Sequence, residues 1–269
     1  MSHQALSSGA VAVVTGAASG IGLATVEALV ARGLSVAMVD VEAARLEDAA
    51  AEIGAGDILT CAMDVSDRAA MGKLANDVYD RFGRVDLLMN NAARRVAGGQ
   101  SEDLDEWRRT MEVNFWAAVE AERAFLPRMI EAGRPAMIVN TGSKQGITNP
   151  PGNLIYNVTK SALKTYTEGL QHQLRNTEGC KVSAHLLVPG WTITGPRRPD
   201  PGGWMPDQVV ALMLERLERG DFYIICPDNE VTPEMDAKRM AWAAGDMIEN
   251  RPALSRWHPD WAERFAAKD

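Results

Sequence analysis

Short apolar runs alternate along this chain with longer segments in which apolar positions recur at helical spacing. The short runs are rich in β-branched residues and predict strands at 11–14, 35–39, 58–62, 85–89, 136–140, 182–188 and 222–226. The longer segments predict helices from a glycine-rich turn to residue 32, then over 43–53, 68–81, 105–128, 156–176 and 234–248. Strands and helices therefore follow each other in regular alternation.

This alternation indicates the fold class. Parallel strands need long crossover connections, which helices provide, and the helices then cover both faces of the sheet. We predict an α/β fold with a Rossmann-type, doubly wound sheet of seven mostly parallel strands. Ligands of such sheets bind beyond the carboxyl ends of the strands, so the functional residues are expected there.

Length and composition agree with this fold class. The 269 residues suit one large domain, and a hydrophobic content of 46% indicates a globular protein with a full core. The formal net charge of −8 opposes a nucleic-acid-binding surface. No basic cluster exceeds the pairs Arg94-Arg95 and Arg197-Arg198. No nucleic-acid partner is expected.

The cysteines and the terminal segment bear on metal binding and location. Cys61, Cys180 and Cys226 are far apart and show no spacing that would hold zinc, so we expect no metal site. No stretch approaches the roughly 18 apolar residues of a membrane span. The N-terminal sequence MSHQALSSG lacks the basic region and the long apolar segment of a secretion signal. We expect a cytoplasmic protein without a membrane contact.

A glycine-rich turn, TGAASGIG at 15–22, stands between the first strand and the first helix. Glycines permit a tight turn and let a pyrophosphate approach the positive end of the helix. Asp40 ends the second strand, where it could accept hydrogen bonds from an adenosine ribose or cap the next helix. Asp64 follows the third strand and could contact an adenine edge or cap the helix after Ser66.

Three residues near the fifth strand could carry proton chemistry. Tyr156 and Lys160 are one helical turn apart, so both side chains lie on one face of their predicted helix. A phenol titrates near about 10 and becomes a useful base only if a fixed cation stabilises the phenolate. Ser143, at the end of the strand before this helix, could hold an alcohol or carbonyl oxygen. The alternative is an aromatic residue beside a solvated amine.

Two asparagine-containing segments complete the expected site. Residues 90–93, NNAA, form a small-residue turn where the backbone could pass close beside a cofactor. Asn114 lies near the middle of the helix at 105–128, where an asparagine side chain competes with the backbone for hydrogen bonds. Asn114 is either a surface residue or a bridge to Lys160 through water.

Together these features resemble the short-chain dehydrogenase/reductase family over roughly residues 8–226. The matching motifs are TGAASGIG, NNAA where the family more often has NNAG, YNVTK at 156–160 and PGWTIT at 189–194. Asp40, Asp64, Asn114 and Ser143 stand in the matching order between them. The glycine spacing is that of the compact members, and the YxxxK spacing disfavours the enoyl reductases.

The resemblance implies roles for individual residues. Tyr156 would be the catalytic acid/base, Lys160 would lower its pKa and hold the nicotinamide ribose, and Ser143 would orient the substrate oxygen. Asn114 would support a proton relay as the fourth catalytic residue. The implied cofactor-binding residues are Gly16, Ser19, Gly20, Ile21, Gly22, Asp40, Asp64, Val65, Asn91, Ala92, Tyr156, Lys160, Pro189, Gly190, Thr192 and Thr194. The implied substrate-binding residues are Ser143, Gln145, Tyr156 and Trp191.

The implied activity is a hydride transfer between NAD and a secondary alcohol or ketone. NAD is expected because Asp40 stands where an NADP 2′-phosphate would bind, and Ser19 and Val41 occupy places where phosphate binders carry Arg or Lys. The alternatives are an NADPH-dependent ketoreductase and a dinucleotide-sensing protein without catalysis. A homodimer or homotetramer is expected.

Two further features concern the substrate, a small-molecule alcohol or ketone. If the resemblance holds, Trp191 and Trp204 face the substrate, which favours a bulky or aromatic compound. Arg94 or Arg95 could contact a substrate carboxylate or lie at the surface.

The chain departs from the family pattern toward its end. The segment 195–205 is short and rich in Pro and Gly where members usually carry a helical lid, and PDN at 227–229 replaces the usual VDGG-like turn. We therefore predict a dinucleotide-binding and catalytic domain at 1–226 and a C-terminal extension at 227–269. The extension is expected to pack on the same domain or on a neighbouring subunit, because free tails rarely carry aromatics such as Trp242, Trp257 and Trp261.

Overall fold

The structure is a computed structural model that describes residues 3–96, 103–194 and 200–267. The strands are β1 Val11–Thr15, β2 Ser35–Asp40, β3 Ile58–Ala62, β4 Leu87–Asn90, β5 Ala136–Thr141, β6 Val182–Val188 and β7 Tyr223–Ile225. The helices are α1 Gly20–Ala31, α2 Ala43–Ile53, α3 Arg68–Phe82, α4 Leu104–Met111, α5 Ala117–Glu131, α6 Gln145–Thr148, α7 Leu154–Arg175, α8 Pro206–Arg219, α9 Pro233–Ile248 and α10 Pro259–Ala267. These bounds agree with most predicted elements to within two residues.

The strands form one sheet in the order β3-β2-β1-β4-β5-β6-β7. Every pair in it is parallel, so the predicted doubly wound Rossmann-type fold is confirmed. The chain runs outward from β1 to β3 and then returns to place β4 on the other side of β1. This reversal leaves a crevice beyond the carboxyl ends of β1 and β4, where ligands of such sheets bind.

Each face of the sheet carries an apolar core. One core lies against α1, α2 and α8, and the other lies against α3, α5 and α7. All five residues of β1 are buried, as expected for a central parallel strand covered on both faces. The two cores fix the ends of the central strands, from which the functional residues extend.

Three of the described helices, α6, α8 and α10, were not among the elements predicted from the sequence, and α8 is the longest of them. Its buried residues recur at helical spacing, at Val209, Val210, Met213, Leu214 and Leu217. The Pro- and Gly-rich segment before it obscures its start in the sequence. Residues 195–199 of the expected lid region lie outside the described residues. From Asp200 onward the segment turns back, and the Trp204 backbone N–H donates to the Trp191 carbonyl at 2.8 Å.

The helix predicted at 105–128 is longer and is interrupted. A π-helical turn at Glu112–Trp116 joins α4 to α5. Such a turn places one extra residue in the helix and is frequently found at functional sites. Here it brings Asn114 toward the interior, where the residue is 2% exposed.

The C-terminal extension forms α9, a 3-10 turn at Ser255–Trp257 and α10, and α9 contacts α6. Trp242 of α9 is buried, and its indole N–H donates to Ser255 Oγ at 2.7 Å. Its ring makes edge-to-face contacts with Trp261 and Phe265. The predicted helix at 234–248 is therefore present and packed through its tryptophan.

Within the described ranges, no helix is both long enough and apolar enough to span a membrane. The same residues contain no group of three His, Cys, Asp or Glu side chains arranged to bind a metal ion.

Candidate active site

A cleft of about 540 Å³ lies beyond the carboxyl ends of the central strands. Most of the residues predicted from the sequence line it together. They are Gly16, Ser19, Gly20, Ile21, Asp40, Asp64, Val65, Asn91, Ala92, Ser143, Tyr156, Lys160, Pro189, Gly190, Thr192 and Thr194. Segments that are distant in sequence, between residues 16 and 194, therefore line one cleft in the folded protein.

The glycine-rich turn forms the floor at β1. Gly16 adopts φ +67°, a left-handed conformation that disfavours a side chain, and a Cβ there would lie 3.0 Å from the Cα of Ala92. Gly22 lies below the cleft surface. A Cβ at Gly22 would overlap the Gly16 carbonyl and come within 2.8 Å of Asn91 Nδ2. The backbone of the turn therefore approaches β4 closely while the start of α1 points into the cleft.

The first turn of α1 offers an anion-binding end. The first amides of a helix have no intrahelical acceptor and carry a partial positive charge. Ser19 is the N-cap residue, and its side chain makes no capping hydrogen bond in the described structure. Amides and hydroxyl at this end are suited to a pyrophosphate group.

Asp40 and Asp64 line the opposite side of the turn. One oxygen of Asp40 accepts from the Ala18 backbone N–H at 3.0 Å, and the other accepts from the Glu42 N–H at 3.1 Å. Asp40 therefore bridges the glycine turn to the residue before α2 and keeps its carboxylate at the cleft. Asp64 accepts from the backbone and hydroxyl of Ser66, while Asp67 caps α3. Asp64 thus stabilises the turn after β3 and does not cap the helix directly.

Hydrogen bonds join the strand ends beneath the cleft. Thr15 Oγ1 accepts from the backbone N–H groups of Asn91 and Ala92, at 2.9 and 3.1 Å. The Asn91 amide donates to the Thr15 carbonyl at 3.0 Å. Asn90 Nδ2 donates to Asn140 Oδ1 at 2.8 Å, which ties β4 to β5. These buried polar contacts hold the three central strand ends in one arrangement.

Tyr156 and Lys160 lie on the first turns of α7 and point toward β5. Lys160 is 2% exposed and donates from Nζ to the Thr141 carbonyl at 2.7 Å. Its Nζ lies 5.6 Å from the centre of the Tyr156 ring. Ser143 reaches the same point from the end of β5 and makes a hydrogen bond with the Tyr156 side chain. The predicted triad is therefore assembled in space.

The charges around Tyr156 favour its ionised form. Burial has the largest effect and acts to raise the pKa of the Tyr156 phenol. The positive charges of Lys160 and Arg95, with hydrogen bonds from Arg95 and Ser143, outweigh burial and lower that pKa below its usual value. Burial is also the largest influence on Lys160 and lowers the pKa of its ammonium. A phenol with this surrounding can exchange a proton nearer neutral pH.

Asn114 lies behind Lys160 and is held by protein groups. Its Oδ1 accepts from the Arg94 backbone N–H at 2.8 Å. Its Nδ2 donates to the Arg94 carbonyl at 3.0 Å and to Thr159 Oγ1 at 3.2 Å. Asn114 and Lys160 border a small cavity of about 10 Å³. Asn114 is thus buried rather than at the surface, and it anchors the segment after β4.

The predicted substrate residues Gln145 and Trp191 are not among the described residues that line the cleft. Gln145 begins α6, and its backbone N–H donates to Ser143 Oγ at 3.2 Å. Trp191 is 51% exposed, and its backbone N–H donates to Asp228 at 3.1 Å. Trp204 packs against the core. The roles of Gln145 and Trp191 in substrate binding stay predictions.

The structure adds residues to the cleft beyond those that the resemblance implied. They are Val41, Met63, Ala93, Arg94, Arg95, Val113, Thr141 and Gly142. Thr141 and Gly142 could have been found from their place directly before Ser143, at the end of β5. Arg95 gave only a weak signal in the sequence, because the contact of its guanidinium with the Tyr156 ring joins segments about 60 residues apart.

Comparison with known proteins agrees with this geometry. Residues 10–200 match the family model described as short chain dehydrogenase. The chain is 35% identical over 228 residues to 1-deoxy-11-beta-hydroxypentalenate dehydrogenase of Streptomyces exfoliatus, which covers 79% of this chain and 81% of the relative.

Two solved structures are similar to the whole fold. A short chain dehydrogenase/reductase from Burkholderia phymatum in complex with NAD aligns with a TM-score of 0.80 at 28% identity, covering 91% of this chain and 96% of that one. A metagenomic short-chain oxidoreductase in complex with NADP aligns with a TM-score of 0.71 at 28% identity, covering 82% and 97%.

Proposed function

Because the chain belongs to the short-chain dehydrogenase/reductase family, we propose that it is an NAD-dependent oxidoreductase acting on a secondary alcohol or its ketone. The observation that carries this proposal is the placement of Tyr156 beside Lys160 and Ser143 in the cleft. The lowered pKa of Tyr156 suits a group that takes and returns a proton. A protein that only senses dinucleotides would not need this arrangement.

The cleft has the features that a dinucleotide cofactor requires. The positive end of α1 and the glycine turn would hold the pyrophosphate, and Asp40 would accept hydrogen bonds from the adenosine ribose. Asn91, Thr194 and Lys160 would contact the nicotinamide half. When bound, the nicotinamide supplies the hydride chemistry.

The protein's own residues handle the proton. In alcohol oxidation the ionised Tyr156 would take the hydroxyl proton, and in ketone reduction the neutral phenol would give it back. Ser143 would hold the substrate oxygen by a hydrogen bond in either direction. Lys160 would stabilise the Tyr156 phenolate with its positive charge, and the hydrogen bond to the Thr141 carbonyl holds its ammonium group in place.

The test combines a substrate screen with one variant. Purified protein is incubated with NAD and a panel of secondary alcohols, and NADH formation is followed by fluorescence. Tyr156→Phe should bind NAD almost normally but lower kcat by at least about a hundredfold, the lower range for loss of a general acid/base.

Tyr223→Phe is the matched control, because Tyr223 lies outside the cleft and bonds to Glu168. It should retain the activity of the unmodified protein. Retention of more than about half of the activity by Tyr156→Phe would show that Tyr156 is not the acid/base. Binding of NAD without turnover of any alcohol or ketone would favour the sensing alternative.

A further inference from the structure

Arg95 extends over the reacting end of the cleft. Its guanidinium carbon lies 5.0 Å from the centre of the Tyr156 ring, and its positive charge acts to lower the pKa of the phenol. Tyr156 is 7% exposed, whereas Arg95 is exposed and lines the cleft. A substrate bound at Tyr156 in this cleft therefore lies near the Arg95 guanidinium.

Among the described residues that line the cleft, the other two cations are already engaged. Arg94 pairs with Glu106 at 2.8 Å, and Lys160 is buried on the Thr141 carbonyl. Over residues 3–96, 103–194 and 200–267, Arg95 makes no ion pair with a carboxylate within 4.0 Å. Arg95 is thus a cation at the active site that retains hydrogen-bond donors for a ligand.

The carboxylates of the cleft lie at its other end. Asp40 and Asp64 are the acidic residues among its described lining, and they follow β2 and β3. Arg95 follows β4 and Tyr156 lies on α7 after β5, and both strands lie on the opposite side of β1 in the sheet order. In a chain with a formal net charge of −8, a cation in this position favours an anionic ligand at the reacting end.

We propose that Arg95 forms a carboxylate-binding subsite, so that the substrate is a hydroxy acid or the corresponding keto acid. This inference rests on the proposed function. The planar guanidinium can bind a carboxylate through two parallel hydrogen bonds, which also fixes the orientation of the substrate. Because Arg95 contacts Tyr156 itself, the carboxylate lies only a few bonds from the reacting carbon.

A binding experiment tests the subsite without depending on turnover. Benzoate, cyclohexanecarboxylate and pentanoate are titrated calorimetrically into the NAD-saturated protein, each beside its neutral carboxamide. At least one acid should bind at least about tenfold more tightly than its amide, since hydrogen bonds to charged groups are the stronger ones. Arg95→Gln should remove this difference, and Arg95→Lys should retain part of it.

Arg94→Gln is the matched control, since it removes the neighbouring guanidinium and leaves Arg95 in place. It should preserve the ratio between acid and amide. Equal binding of acids and amides by the unmodified protein would overturn the subsite, as would a ratio that survives in Arg95→Gln or disappears in Arg94→Gln. If Arg95 acted only on the Tyr156 pKa, its loss would change the pH profile but leave the ratio unchanged.

The outcome of this binding experiment can be told apart from the outcome of the turnover screen that tests the proposed function. Absence of turnover across the alcohol and ketone panel contradicts the enzyme proposal, whatever the calorimetry shows. Turnover of neutral alcohols together with equal acid and amide binding leaves the enzyme proposal standing and removes the carboxylate subsite.

Discussion

At the scale of single residues, the environment of Tyr156 determines what the cleft can do. The phenol is buried, which opposes ionisation, yet Lys160 and Arg95 bring two positive charges to it. The YxxxK spacing predicted the contribution of Lys160, because residues four apart on a helix share a face. The contribution of Arg95 could not be predicted, since it depends on how the segment after β4 folds over α7. Asn114 was predicted to be either a surface residue or a bridge to Lys160 through water, and the π-helical turn places it in the interior.

The pH profile of alcohol oxidation should reflect the Tyr156 environment. The ionised phenol is the base, so kcat/KM should rise with pH and then reach a plateau. Because the pKa of Tyr156 is lowered, the inflexion of this curve should lie below pH 10. Ser143→Ala removes a hydrogen bond that lowers this pKa and should move the inflexion upward. Burial raises the pKa of Tyr79 and of Tyr223 to about 12, so an inflexion below 10 does not belong to them.

The profile is measured over about pH 6 to 11 with saturating cofactor, and ketone reduction should show the opposite trend. An inflexion at or above 10 in the unmodified protein would contradict the proposed stabilisation of the phenolate.

Asp40 should determine the choice of cofactor. Its carboxylate is fixed by the amides of Ala18 and Glu42, and Val41 beside it is 63% exposed and brings no positive charge. An NADP 2′-phosphate would be repelled there, and even about 2.7 kcal/mol gives roughly a hundredfold preference for NAD in kcat/KM. Asp40→Ala should reduce this preference mainly by weakening NAD, and Val41→Arg should shift it toward NADP.

Steady-state kinetics with both cofactors at one substrate concentration measure the ratio. Equal or better efficiency with NADP in the unmodified protein would show that Asp40 does not select the cofactor.

At the scale of elements, the sequence predicted the strands and most helices because burial imposes a period on each. β1 is apolar up to Thr15 and is buried throughout, and α2 was predicted with its observed bounds. Contacts between distant elements leave no such local pattern. Lys144, at the start of α6, illustrates this. Its Nζ lies 2.6 Å from Asp236 of α9 and 3.5 Å from Asp228 after β7. Nothing in the sequence near Ser143 indicates these partners.

Loss of Lys144 should destabilise the protein in a pH-dependent way. Lys144→Met leaves two largely buried carboxylates without their cation, which costs about 2–4 kcal/mol at pH 8, or roughly 5–15 °C in Tm. Burial already raises the pKa of Asp236 above its ordinary value, and removing Lys144 raises it further. The destabilisation should therefore grow as pH rises above the ordinary carboxyl pKa and should be smaller at pH 5, where more of the carboxyl is protonated.

Thermal unfolding at pH 5 and pH 8 provides the measurement. Lys164→Met is the control, because Lys164 pairs with Glu168 at 2.8 Å in a more exposed place, and it should change Tm by only about 1–2 °C. A loss for Lys144→Met no greater than that of the control would show that the α6 to α9 contact contributes little.

At the scale of the whole molecule, the sheet order places the anion-binding turn, the acid/base pair and Arg95 around one crevice. The alternation of elements and the family motifs were sufficient to predict the anion-binding turn and the pair Tyr156 and Lys160 at this crevice, but not the position of Arg95. The C-terminal extension contains no family motif from which its position could be predicted, and its packing depends on contacts between individual side chains. Arg251 illustrates this, with its guanidinium 4.4 Å from the Trp242 ring and its Nη2 donating to the Trp242 carbonyl at 3.1 Å. The extension contacts the catalytic region through α6, next to Ser143.

Removal of the extension should therefore affect more than its own residues. Deletion from Met235 onward takes away Asp236 and the cluster around Trp242 together. We expect either a changed oligomer size, by sedimentation velocity, or at least about a threefold rise in KM for the substrate.

Trp242→Ala separates the loss of the cluster from the loss of Asp236, because it loosens the cluster and leaves Asp236 beside Lys144. It should increase protease cleavage within 235–267 while KM changes less than in the deletion. A deletion variant with the original sedimentation profile and kinetics would show that the extension acts independently of the catalytic domain.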